Sequence, residues 1–323
     1  MDAATSYHQH ESEHRSRELS VPNRLNFGLA CAVIVAGGAL VWLGSHVQAW
    51  LAVLAVGVVF SYVMLTNYAL LHEATHSHLN ENPTWNYCLG VATGIFFPAP
   101  FTMIWVTHQG HHDRNRSDDE MFDLYYASDN LVMKYWIWYA TLAGWFWPLV
   151  PLGAVLVAIL PRPIYAFLSR KLPCGNPSLV GLSSKLLWRI RFELLLFVGV
   201  FAGLFWLLDL RVLNTLVLYA CFSFNWSTRQ YVGHAFSERD VIDGAWNLDH
   251  NPVMTAILLN GNYDLNHHRY PEAPWIHLPR LSPANEQRMN YVWQYLRQWR
   301  GPQLTIEPNP LSDTPQQTHK ASS

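Results

Sequence analysis

The chain has 323 residues, half of them hydrophobic, and a formal net charge of −2 with histidine neutral. Only 14% of residues are charged, where a water-soluble domain carries about 25%, so lipid is the expected solvent for much of the chain. The near-neutral balance gives no footing for nucleic acid, and the four cysteines Cys31, Cys88, Cys174 and Cys221 form no C-x-x-C pair.

Residues 1–24 are polar, mixed in charge and without an apolar h-region, and read as a disordered cytoplasmic tail with no cleavable signal peptide. From Leu25 to His72 there is not one Asp, Glu, Lys or Arg. A span needs about 20 apolar residues, and a charge at its centre costs about 2.5–3.5 kcal/mol. This run therefore predicts two helices, 26–44 and 49–71, with a turn at Gly44-Ser45-His46-Val47-Gln48. Residues 85–106 are apolar but interrupted by Gly90, Gly94, Pro98 and Pro100, and residues 135–160 are Trp-rich and interrupted by Pro148 and Pro151. A second hairpin is expected at 192–208 and 212–226, across Asp209-Leu210-Arg211. The tryptophans Trp136, Trp138, Trp145 and Trp147 read as an interfacial anchor. Residues from 301 to 323, rich in Pro, Ser, Thr and Gln towards the end, read as a second disordered tail.

Arg15, Arg17 and Arg24 flank the first helix, and Arg162, Arg170, Lys171, Lys185, Arg189 and Arg191 fill the segment before the second hairpin. The positive-inside rule places both on the cytoplasmic side. A single crossing at 135–160 would put the later histidines on the opposite side from the earlier ones. That stretch is therefore expected to enter and leave on one side, as a Pro-bent re-entrant element or two short tilted helices. The fold class is an all-α integral membrane protein, one domain over 25–300. It has at least four transmembrane helices in two hairpins, at most six, with both termini inside.

Sixteen histidines stand out. His72-Glu73-Ala74-Thr75-His76 lies where the second helix leaves the membrane, and residues four apart share a helix face. His108-Gln109-Gly110-His111-His112 follows the 85–106 stretch with spacings of three and four. Asn262-Tyr263-Asp264-Leu265-Asn266-His267-His268 follows the last helix, and His234 stands alone with Gln230 one turn before it. Chance yields an H-x-x-x-H or an H-H about once in such a chain, but an H-x-x-H-H in only about one in twenty-five. The clusters fall in loops or at helix ends on one predicted side. Imidazoles converging there would repel as cations unless a metal organised them. Imidazole ligation suits iron, zinc, copper or nickel. No cysteine is placed to complete a structural zinc site, and a zinc-protease H-E-x-x-H helix is excluded at the first cluster. His8, His10, His14 and His319 are tail residues, His46 belongs to the outer turn, and His78, His250 and His277 read as surface or hydrogen-bonded groups. Arg114, Arg116 and Arg269 beside the clusters face a polar substrate head or an electron donor, or simply solvent.

The three clusters, in order, resemble the histidine boxes of the membrane fatty acid desaturase/hydroxylase superfamily. Asn80, Asn86 and Gly90 after the first box add to the likeness, as does His267-His268-Arg269-Tyr270-Pro271-Glu272-Ala273-Pro274-Trp275 running into Leu278-Pro279. The resemblance covers roughly residues 60–280. It implies a cytoplasmic cap in which His72, His76, His108, His111, His112, His267 and His268 hold two non-haem irons that activate O₂ with two external electrons. His234 resembles the isolated histidine that supplements the boxes. In the family the third box begins with His or Gln. Asp264 stands there in this chain, as a carboxylate ligand or as a group orienting one. Glu73, Gln230 and Asn262 are candidates to orient ligands.

The expected function is therefore a di-iron, O₂-dependent oxidoreductase of a bacterial inner membrane, introducing a double bond into a long alkyl chain. A hydroxylase, ketolase or alkane monooxygenase would use the same ligands, and a membrane metal transporter or sensor is the more distant alternative. No haem box, rubredoxin-type Cys pairs or G-x-G-x-x-G occurs in the sequence. A separate ferredoxin, rubredoxin or cytochrome is thus expected as electron donor on the cytoplasmic face.

Overall fold

A computed structural model describes residues 19–172, 175–283 and 285–312. Helix α1 (Asn23–His46) and helix α2 (Trp50–Thr75) form the first hairpin. Small residues let helices come close in lipid. A Cβ at Gly37 would stand 2.8 Å from Met64 Cε, and one at Gly57 would stand 2.8 Å from Cys221 Sγ. Helix α2 runs four residues past the expected end, so its last turn carries His72.

Helix α3 (Pro83–Phe96) is capped by Asn82, whose side chain accepts from the amides of Thr84 and Trp85. The chain breaks at 97–100 and turns through 98° into helix α4 (Phe101–Arg114). Pro98 and Pro100 explain the break, since neither can donate to a continuing helix. Pro100 has no capping side chain, and Glu193 from a distant helix supplies the missing acceptor. Its carboxylate, 2% exposed, accepts from Thr102 N at 2.8 Å, Thr102 Oγ1 at 2.6 Å and Tyr87 OH at 2.8 Å. A negative group at a helix N-terminus is favourable on both hydrogen-bonding and dipole grounds.

After strand β1 (Leu124–Tyr125) come helix α5 (Leu131–Ala140), a π turn over Thr141–Trp145, and helix α6 (Phe146–Ile159). Gly144, at φ +99°, interrupts the helix. Its carbonyl accepts from Ser223 Oγ and Ser227 Oγ, and Ser227 Oγ also accepts from Trp147 N at 3.0 Å. Two serines thus satisfy the backbone groups that the break frees. A Cβ at Gly144 would lie 3.0 Å from Phe224 Cα. Gly144→Val is therefore expected to destabilise by about 1–3 kcal/mol, read as a lower thermal midpoint in detergent. An unchanged midpoint would mean the break is not held by this contact.

By length and composition the 131–159 stretch passes as a membrane span, and contacts tie its two ends to α4 and to the segment that follows α4. Lys134 Nζ donates to the carbonyls of Met121 and Leu124, in the segment that follows the second box. Past the other end, Tyr165 of helix α7 (Arg162–Lys171) packs with Leu179 and with Met103 of α4. The stretch thus counts among the candidate spans, where the expectation for 135–160 was an enter-and-return element.

Helix α8 (Ser184–Leu207) and helix α9 (Val212–Gln230) form the second hairpin. The helices that pass on apolar length are α1, α2, 131–159 and α8. This set differs from the expected one, which had 212–226 instead of 131–159. The reason is that α9 carries polar side chains spent on its neighbours. Asn214 donates to Gly44 O at 2.8 Å, beside the α1–α2 turn, and Asn225 to Ser61 Oγ at 2.9 Å. The core between α1, α2 and α9 holds Phe60, Met64, Leu70, Phe97, Leu218 and Phe222.

Beyond α9 the chain forms a cap. Strand β2 (Leu248–Asp249), helix α10 (Pro252–Ile257), helix α11 (Asp264–Arg269), strand β3 (Met289–Asn290), helix α12 (Tyr291–Gln298) and strand β4 (Gln303–Leu304) follow in order. β2 pairs in parallel with β3, and β1 with β4. The β1–β4 pair lays Gln303 and Leu304, just past the expected domain end at 300, against Leu124 and Tyr125. Residues 1–18 and 313–323, with the expected tails' outer parts and His8, His10, His14 and His319, lie outside the described residues.

Candidate metal centre

The boxes meet at one place. His72 and His76 come from the last turn of α2 and its C-cap. His108, His111 and His112 come from the last two turns of α4, and His267 and His268 from the short helix α11. His72, His76, His108 and His267 each bring a ring nitrogen into one group, all within 4.8 Å of one another, and His111, His234 and His268 form a second such group. His112 sits between them. Its Nε2 is 3.1 Å from His108 Nε2 and 3.0 Å from His267 Nε2, and its ring centroid is 4.5 Å from that of His268. Asp264 Oδ2 lies 3.1 Å from His234 Nε2, at the edge of the second group.

This packing fits metal ions better than hydrogen bonds. A neutral imidazole nitrogen has either one N–H or one lone pair. His108 Nε2, however, has two nitrogen neighbours, His76 Nε2 at 2.8 Å and His112 Nε2 at 3.1 Å. Two nitrogens bound to one ion at about 2.1 Å stand roughly 3.0–3.4 Å apart for right-angle to tetrahedral geometry. His268 Nδ1 is buried with no hydrogen-bond partner, as an atom reserved for a metal would be. Burial, and then the neighbouring His72, push the His267 imidazole well below its ordinary pKa. Burial and then His234 do the same for His268. His234 is lowered chiefly by burial, against the opposing pull of Asp264. Near pH 7 these rings are neutral, the form that ligates.

Groups around the rings fix their orientation. His234 Nδ1 donates to Gly244 O at 3.0 Å. His111 Nδ1 faces Glu120 Oε2 at 3.4 Å, and Glu120 in turn lies 3.6 Å from Arg114. Neither partner was legible in the sequence: a backbone carbonyl has no residue signature, and Glu120 is one of three consecutive acidic residues. Glu73 Oε2 accepts from Trp275 N at 3.0 Å, and its other oxygen lies 3.6 Å from His72 Nδ1. Asn262 Nδ2 donates to Leu248 O at 2.9 Å, bracing the turn before α11, while Gln230 lines the cavity beside the histidines. Asn86, after the first box, donates to Ala74 O at 2.9 Å and accepts from Leu79 N, fastening the loop behind His76.

Two expectations need correction. Spacing does not exclude the zinc-protease pattern, because His72-Glu73-Ala74-Thr75-His76 is H-E-x-x-H letter for letter. What argues against it is Glu73, 4% exposed and bonded to the Trp275 amide rather than free to act as a base on metal-bound water. Arg116 meets neither solvent nor substrate. It is fully buried and paired with Asp123 at 2.6 Å. Arg269 does stay at the surface, with Asp243 at 2.6 Å. His46, His78, His250 and His277 lie in neither group.

A cavity of about 510 Å³ runs from His72, His108 and His111 along Leu65, Met103 and Leu149, predominantly apolar below the histidines. Residues 48–300 match the fatty acid desaturase family, a range that contains every histidine of both groups and Asp264. The chain belongs to the fatty acid desaturase family. No curated protein matches this family member. Family membership makes it an oxidoreductase of the desaturase/hydroxylase type, multi-pass in the membrane. Asp264 stands where the sequence resemblance leads one to expect His or Gln, and it brings a carboxylate to the edge of the second group of this desaturase-family chain. Asp264→Asn is expected to lower retention of a metal in the second group by about 10–100-fold, read by metal analysis after chelator washes. Unchanged retention would place Asp264 outside the metal's reach.

Proposed function

We propose that the chain is a membrane-bound, O₂-dependent non-haem di-iron desaturase acting on a long alkyl chain. His72, His76, His108 and His267 would hold one iron and His111, His234 and His268 the other, with Asp264 beside the second group and His112 between the two groups. The observation that carries this reading is the pair of imidazole groups at the head of an apolar cavity. Irons bound there would supply the oxidising power for C–H cleavage, drawing on O₂ and two external electrons.

The protein's own work is binding and aiming. Leu65, Met103 and Leu149 give an alkyl chain an apolar lining, which excludes water from the reacting carbon. The Glu193 cap, the Glu120–His111 contact and the Gly244–His234 bond hold the rings, so the reacting carbon is fixed against a rigid centre. The basic residues flanking α1 and filling 162–191 support a cytoplasmic metal face, in a bacterial inner membrane, where a separate ferredoxin, rubredoxin or cytochrome would dock. A transporter would hold its ligands near the bilayer midplane, whereas these histidines stand at helix ends and in the cap.

The test is mass spectrometry of lipids and hydrocarbons from cells expressing the chain, against cells expressing His267→Ala. A product lighter by two hydrogens, absent from the variant, is expected. A product heavier by one oxygen would replace desaturation by hydroxylation on the same site.

A further inference from the structure

A second cavity, of about 610 Å³, lies at the helix break between α5 and α6. Ile137 and Ala140 line it from α5, Phe146 and Leu149 from α6, and Asn176 from the loop before α8. It shares Glu120, Phe122, Thr141, Phe146 and Leu149 with the cavity that reaches His108 and His111. The two spaces are therefore contiguous through one common wall. The outer side of the second cavity carries Val132, Trp136 and Trp145, which are 75%, 72% and 67% exposed. In a membrane protein such exposed apolar surface faces lipid, and tryptophans of this kind settle at the headgroup level. Asp119, Asn130 and Asn176 form a polar edge, and among the described residues no Lys or Arg lines the space.

We propose that this second cavity is the lateral mouth through which an alkyl chain passes from the bilayer to the metal centre. The chain enters between α5 and the loop at 175–177, rather than between the four long helices. The apolar tail threads past Thr141 and Phe146 towards His108, while a polar end that both donates and accepts, such as a hydroxyl, rests against the Asp119 carboxylate and the side-chain amides of Asn130 and Asn176. The tryptophans at 136 and 145 thus form the sides of an opening, while Trp138, fully buried, and Trp147, stacked on Tyr219, belong to the packing. The proposal rests on the alkyl-oxidising function proposed above.

It is tested with hexadecanol bearing a terminal diazirine, photolysed with metal-free full-length protein in lipid vesicles and mapped by peptide mass spectrometry. Saturable labelling of Met103 and Ile104, which line the inner cavity and not the mouth, is expected, competed by plain hexadecanol. Ala140→Trp fills the mouth without touching the histidines, and it should cut that labelling, and turnover of the iron-loaded protein, by about tenfold or more. Ile137→Trp serves as a second plug should the first variant fold poorly, and thermal midpoint and bound iron are measured for both. A folded, iron-retaining plug variant with full interior labelling would overturn the lateral mouth and leave the alkyl function standing. Absence of any saturable interior labelling in the unaltered protein would remove the alkyl function itself.

Discussion

Replacing His111 with Ala is expected to abolish turnover, by at least about a thousandfold, and to cut bound iron from about two ions per chain to about one. His111 belongs to the second group, so the four nitrogens of His72, His76, His108 and His267 keep their arrangement when it is removed. His112→Ala should differ in kind. Its Nε2 is 3.1 Å from one member of the first group and 3.0 Å from another, and its ring adjoins His268 of the second. Its loss should therefore weaken both ions together, giving iron content well below one per chain. Metal analysis of the two purified variants, alongside activity, separates these outcomes. Equal iron content in both would mean that His112 is not shared, and full activity in His111→Ala would sink the site assignment.

Asp123→Ala is expected to cost about 3–5 kcal/mol, because it strands a buried guanidinium. Arg116 and Asp123 are both inaccessible to solvent and 2.6 Å apart. Arg116 also donates to Tyr231 OH at 2.8 Å, Ser237 O at 2.9 Å and Glu238 O at 3.3 Å. The cluster thereby ties the segment after His112 to the turns that carry His234. The single variant should show a lower thermal midpoint in detergent and loss of metal from the second group first. The double variant Arg116→Met/Asp123→Leu should recover much of the midpoint, since neither charge is then left alone. A midpoint for Asp123→Ala equal to that of the unaltered protein would show that the pair contributes nothing.

Much of the site was legible in the sequence because metal ligation imposes spacing. His72 and His76 four apart, and His108 with His111 and His112, point to one face whatever the rest of the chain does. The first hairpin was legible for a similar reason, since a long run without charge has few other uses. What escaped the sequence depends on contacts between distant segments. Helix α8 starts at Ser184, eight residues before the expected 192, because Lys185, Arg189 and Arg191 extend the helix at its basic end instead of ending it. Glu193 reads as an intrusion in an apolar helix until its partners in α4 and α3 are seen. Arg116 looks like a surface charge in a run of polar residues. Only the fold reveals Asp123, Tyr231 and two backbone carbonyls waiting for it. The division of the histidines into two groups is likewise set by the approach of α11 to α4, which no local pattern encodes.

The Glu193 cap has a mechanical consequence. Helix α4 carries three of the histidines, and its lower end hangs from a carboxylate on α8, a helix whose apolar length suits a full crossing. The position of those imidazoles is therefore coupled to α8 as well as to the segments bonded to the far end of α4. A bilayer of different thickness changes the tilt of a spanning helix. Through this tether, if the proposed function holds, such a change would shift the histidines relative to an alkyl chain in the cavity, making lipid thickness a determinant of which carbon is presented.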